Sequence, residues 1–105
     1  MPETAERIAY LNGSFIPESE TRLSIFDTAL ATGEKVVEVT RTFNHKPYKL
    51  GNHLSRLYKG LDALQIDPGI TPQELTEITR ETLHRNLSTQ PETVDWEILQ
   101  YISRG

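Results

Sequence analysis

The 105-residue sequence is long enough for one domain whose core hides roughly two thirds of the surface its unfolded chain exposes. With 11 Lys and Arg against 15 Asp and Glu, the formal charge is −4, which supplies no sequence-independent pull toward nucleic acid or anionic lipid, so neither is an expected partner. The absence of cysteine excludes disulfides, thiolate zinc sites and a cysteine nucleophile, and accords with a reducing compartment. No apolar run approaches the ~20 residues of a membrane span. The opening MPETAERIAY lacks the apolar centre of a signal peptide, so the expected location is cytoplasmic.

In chain order, AYLNGSFIP (residues 9 to 17) sets Asn12-Gly13 between two short apolar runs and predicts a tight β-hairpin. KVVEVTRTF (35 to 43) is rich in β-branched residues and bounded by Gly33 and by Asn44-His45. It predicts a strand, with KPYKL returning as its hairpin partner. The stretch GNHLSRLYKGLDAL (51 to 64) follows, and Leu50, Leu54, Leu57, Leu61 and Leu64 recur at spacings of four and three, the stripe of an amphipathic helix ended by Pro68-Gly69. Thr71-Pro72-Gln73-Glu74 has a hydroxyl to cap, a proline where no N–H is missed and a glutamate able to reach back. A second helix is expected from there to about Asn86, with Leu75, Ile78 and Leu83 inward. TQPET (89 to 93) is a loop. In VDWEILQYIS (94 to 103), Trp96, Ile98 and Ile102 alternate with Leu99 and Tyr101, which predicts an inner strand covered on both faces. The expected fold class is α+β: a mostly antiparallel sheet with two helices packed on it.

At about 100° per residue, His53, Arg56 and Gly60 lie roughly 60° to 120° round from the leucine stripe, where core meets solvent. Gly60 costs a helix interior about 1 kcal/mol relative to alanine, so a close approach to the backbone is expected there. On spacing alone, Arg56 reads as a solvated or salt-bridged residue and His53 as a satisfied boundary histidine.

Five features in one order, namely LNG before a short strand, SIFD, a glycine-opened strand carrying Glu38, the helix HLSRL and a closing strand ending Arg104-Gly105, resemble the start of the class IV pyridoxal-phosphate (PLP) enzymes. These include branched-chain and D-amino acid aminotransferases and aminodeoxychorismate lyase. The resemblance implies a small N-terminal α+β domain occupying residues 1 to 105, amino acid and 2-oxo acid substrates, PLP as cofactor and a homodimer. Arg56 matches the family arginine that hydrogen-bonds the cofactor phosphate, for which a planar guanidinium is suited. His53, one turn earlier, is expected to support it. Arg104 matches a position that helps hold the substrate carboxylate in D-amino acid aminotransferase-like members. Thr32 and Val37 stand where many members have a tyrosine and another aromatic residue on the substrate pocket, which implies a wider pocket without that phenol. Lys35 replaces a glycine, a change compatible only with ordinary backbone angles.

The family's Schiff-base lysine is expected beyond Gly105, in a larger C-terminal domain, because none of Lys35, Lys46, Lys49 and Lys59 matches its position. The chain alone is therefore expected to be inactive. An aminodeoxychorismate lyase-like enzyme and a non-catalytic stand-alone domain are the alternatives. His45, His53 and His84 have no zinc-motif spacing, the series Glu74, Glu77 and Glu81 reads as a solvated face, and Ser14, Ser24 and Ser103 have no evident histidine and acid partners.

Overall fold

The computed structural model describes residues 5 to 105. Strands β1 (Ile8–Leu11) and β2 (Ser14–Pro17) form an antiparallel hairpin in which Leu11 faces Ser14. Its turn places Asn12 at φ 47° and Gly13 at φ 98°, the left-handed pair that a two-residue turn requires. A short helix, α1 (Thr28–Ala31), follows, for which the sequence carries no periodic signal. Strand β3 (Lys35–Phe43) has the expected bounds. Lys35 has no positive φ, so its side chain in place of glycine costs no backbone strain.

The return strand is shorter than KPYKL: β4 comprises only Lys46–Pro47. Lys49 adopts φ 53° and turns the chain directly into helix α2 (Leu50–Ala63). Helix α3 (Pro72–Asn86) begins with the anticipated reciprocal cap, Thr71 Oγ1 accepting from the Glu74 amide and Glu74 Oε1 accepting from the Thr71 amide. Strand β5 (Glu97–Ser103) closes the chain.

The hairpin β1–β2 is a sheet of its own, and the second sheet has the order β4-β3-β5, antiparallel throughout. The α+β expectation holds. The core is the α2 stripe, Leu50, Leu54, Leu57 and Leu61, with Ile66 and Leu75 and with Val36, Tyr58, Ile70 and Ile102 packed against it. Two leucine-stripe assignments change. Leu64 lies at the α2 C-cap and is 43% exposed, because Pro68-Gly69 and the turn before them carry the chain away before another turn of helix can bury it. On α3, Thr79 is buried beside Leu75 and Leu83 while Ile78 is only half-buried; the Thr79 hydroxyl remains satisfied by donating to the Leu75 carbonyl at 2.8 Å.

The closing strand is also corrected. β5 pairs with β3 on one side only, and Leu99 and Tyr101 on its outer face are exposed. The apolar character of that face arises without a second layer over it among the described residues. The inner face of β3 is polar beyond Val36, with Glu38, Thr40 and Thr42 all buried. Thr42 Oγ1 donates to Asp95 at 2.8 Å, which leaves Glu38 as the inner-face group that needs a cation.

Candidate functional site

Three of the residues singled out by sequence converge. Glu38 points from β3 under α2, where it is 5% exposed, and meets the α2 flank at the two positions one turn apart, His53 and Arg56. Arg56 Nε donates to Glu38 Oε2 at 3.0 Å, and Arg56 Nη2 pairs with Oε1. His53 Nδ1 lies 3.1 Å from the same Oε1. An ionised carboxylate can only accept, so Nδ1 carries the proton. The Arg56 pair, aided by His53, holds the Glu38 carboxyl down to about 2, although burial pushes the other way. The same pair raises Arg56, so the guanidinium is charged at any physiological pH.

This geometry combines both sequence readings of Arg56. One edge of the guanidinium is salt-bridged, while the side chain remains 73% exposed and its Nη1 group has no protein acceptor among the described residues. A planar fork braced on one edge and open on the other fits a phosphate group, since two oxygens can meet its free N–H bonds. The donor set is therefore compatible with the phosphate of PLP.

Gly60 lies one turn beyond Arg56 on this flank. A Cβ added there would stand 3.0 Å from Val36 Cγ1, which identifies the close approach anticipated from sequence: α2 crosses β3 where the Val36 side chain packs against the bare backbone of Gly60. That approach sets the depth at which Arg56 and His53 meet Glu38 on the same strand.

The other predicted residues lie elsewhere. Val37 points from the outer face of β3, half-exposed, directly opposite Tyr101. A cross-strand pair brings side chains within about 5 Å at Cβ. A phenol thus stands beside the position where the family resemblance had implied the loss of a ring, a neighbour that only strand register could reveal. Thr32 is the α1 C-cap and its hydroxyl donates to the Thr28 carbonyl at 3.1 Å. The Arg104 guanidinium donates to Glu34 Oε2 at 2.9 Å, to the Leu64 carbonyl at 2.8 Å and to the Gln65 carbonyl at 3.1 Å. It completes the carbonyl end of α2, eight residues and so about 12 Å along the helix from Arg56.

Asp27 of SIFD has a role that sequence reading did not assign. Its Oδ1 accepts from the Ala29 amide at 2.9 Å, capping α1, and from the Ser103 hydroxyl at 2.6 Å. Both bonds lower its pKa, the Ser103 bond most. Thr28 Oγ1 accepts from the Arg104 amide at 3.0 Å. The missed signal was an N-cap pattern, Asp followed by Thr-Ala-Leu-Ala, too short to register as a periodic helix.

The family described as Amino-transferase class IV matches residues 35–105, a region that holds the β4-β3-β5 sheet, both long helices and the braced arginine. The chain belongs to the class IV amino-transferase family. A Methanocaldococcus jannaschii protein provisionally named a branched-chain-amino-acid aminotransferase is 36% identical over 77 residues, 73% of this chain and 27% of that protein. The D-alanine aminotransferase of Staphylococcus haemolyticus is 30% identical over the same shares. The branched-chain amino acid aminotransferase of T.th., solved with pyridoxamine 5′-phosphate, superposes with a TM-score of 0.70 at 28% identity, covering 79% of this chain and 29% of that one. The branched-chain aminotransferase of Thermoproteus uzoniensis shares the fold over 94% of this chain and 33% of its own, with a TM-score of 0.81 at 22% identity. The chain spans about a quarter of the length of the two curated relatives.

Proposed function

We propose that these residues act as the small domain of a PLP-dependent aminotransferase that moves an amino group between an amino acid, of the branched-chain or D type, and a 2-oxo acid. The observation that carries this reading is the arginine braced by a buried glutamate. Glu38 fixes one edge of Arg56, His53 fixes Glu38, and the open edge of Arg56 binds the cofactor phosphate by charge-assisted hydrogen bonds. Holding the guanidinium before the ligand arrives lowers the ordering cost of binding. When bound, PLP supplies an electron sink for the charge that develops at the substrate α-carbon.

On this reading the outer face of β3 and β5, with Val37 and Tyr101, forms one wall of the substrate space, and Thr32 borders it from the end of α1. Arg104 reaches a substrate carboxylate only by releasing at least one of its three present acceptors. The reactive lysine lies in a larger domain. Lys35, Lys46, Lys49 and Lys59 are all exposed, whereas a nucleophilic lysine needs desolvation or neighbouring charge. The reading includes a homodimer, and the exposed Leu23, Ile25, Phe26 and Leu30 around α1 suit burial against further protein.

Arg56→Ala, made in the enzyme that contains this domain, is expected to weaken PLP binding by about ten- to a hundredfold, measured by spectroscopic titration. Unchanged affinity in a folded variant would return Arg56 to a purely structural ion pair.

A further inference from the structure

A second cationic site lies on different elements. The β3–β4 turn and the last two turns of α3 border an open groove of about 420 Å³ lined by His45, Lys46, Pro47, Arg80, Leu83, His84 and Leu87. Its apolar surface comes from Pro47, Leu83 and Leu87. Its polar side chains, His45, Lys46, Arg80 and His84, are all cationic or can become so, and no carboxylate side chain lines it. That is unusual in a chain of net charge −4.

Among the described residues, no acid forms an ion pair with Lys46 or Arg80. Asp95, beside the turn, accepts from Thr42 Oγ1 at 2.8 Å, from the His45 amide at 2.9 Å and from the Asn44 amide at 3.2 Å. These contacts hold the turn residues Asn44 and His45 at φ 53° and 64°, next to Lys46 on the groove lining. On α3, Glu81 is paired with Arg85 at 2.9 Å, and the Glu77 carboxylate accepts from Gln73 at 3.5 Å. The His84 ring makes no hydrogen bond among the described residues. The His45 ring does have a partner, Nε2 donating to the Val94 carbonyl at 2.9 Å, so it forms a fixed wall.

We infer that this groove binds a small organic anion, an apolar body carrying a phosphate or carboxylate, with Lys46 and Arg80 gripping the anion and Leu83, Leu87 and Pro47 receiving the body. Arg80 offers a planar fork and Lys46 a mobile point charge, and they approach from two elements, as a clamp requires. The volume lies within the range of small-molecule sites. A duplex nucleic acid would need a broad basic surface, which the chain's net charge opposes.

The test is an NMR titration of the 15N-labelled chain with inorganic phosphate and with phenyl phosphate. Saturable amide shifts at residues 45–47 and 80–87, separate from any at the Arg56 flank of α2, are expected, with phenyl phosphate binding there about tenfold more tightly than phosphate. Lys46→Glu with Arg80→Glu should weaken binding by about tenfold or more, with the remaining spectrum unchanged because both side chains are exposed. Arg56→Ala should leave this binding intact. Non-saturating shifts spread over other lysines and arginines, or a double variant that still binds within about twofold, would overturn the site. Equal affinity for the two anions would overturn the assignment of an organic ligand.

Discussion

Glu38 and Arg56 divide one ion pair between two environments, the carboxylate 5% exposed on the inner face of β3 and the guanidinium 73% exposed on α2. The buried partner therefore needs the pair more than the exposed one does. Removing Arg56 would strand a buried charge, whereas removing Glu38 would free a solvated one.

Stability should report this asymmetry through pH. Glu38 sits near 2 when folded and near the ordinary glutamate value when unfolded, so the unfolded chain binds the proton first as pH falls. The contribution of Glu38 is fully present above about pH 5 and is lost as pH drops toward about 2. Urea unfolding of the wild type across that window should show this loss, and Glu38→Gln should lack that component. At pH 7 the variant is expected to be less stable by about 1 kcal/mol, since much of the pair faces solvent. Parallel pH profiles for the two proteins would contradict the assignment.

The crossing at Gly60 predicts a coupling between two positions. Gly60→Ala gains about 1 kcal/mol of helix propensity, but its methyl meets Val36 Cγ1 at 3.0 Å, so little net change is expected. In a Val36→Ala background the obstruction is gone and the same substitution should stabilise relative to Val36→Ala alone. Gly60→Leu should destabilise by about 1 to 3 kcal/mol through overpacking. Thermal melts of the double-mutant cycle measure the coupling, and strict additivity would mean that α2 and β3 do not touch there.

Asp27 ties α1 to the end of β5 through Ser103. Asp27→Ala should speed amide exchange at Ala29 and Arg104 by about tenfold, while Asp27→Asn, which keeps an acceptor, should retain most of the protection. Exchange rates unchanged in the alanine variant would show that the Thr28 contacts alone hold this end.

Treatment of the chain with PLP and borohydride, followed by peptide mapping, should give only scattered, substoichiometric labelling, because every lysine is exposed. One stoichiometric site at Lys35 or Lys59 would place the reactive lysine within these residues.

Much of the local architecture was legible from sequence because short-range chemistry dictates it. Asn12-Gly13 takes the left-handed angles of its turn, Thr71 and Glu74 cap each other, and the β-branched run from Lys35 to Phe43 is one strand. The i, i+3, i+4 leucines of α2 specify which face is buried, and the gap at Gly60 announced a close neighbour without naming it. These features depend on residues within one turn or one strand of each other.

Tertiary structure decided what lies across from them. No spacing relates Glu38 to Arg56, 18 residues apart, until β3 is laid beneath α2. Val37 met Tyr101 only through the β3–β5 register, and the outer face of β5 proved open because burial depends on neighbouring layers rather than on a strand's own apolar pattern. Leu64 continued the heptad-like stripe yet came to the surface, since a helix buries a position only while it continues to pack. Arg104 found its acceptors at the far end of α2, a junction made by two segments about 40 residues apart in sequence. Local patterns determined the elements. The pairing of charges and the exposure of faces required the packed fold, because electrostatic and hydrophobic energies depend on distance in space and not on distance along the chain.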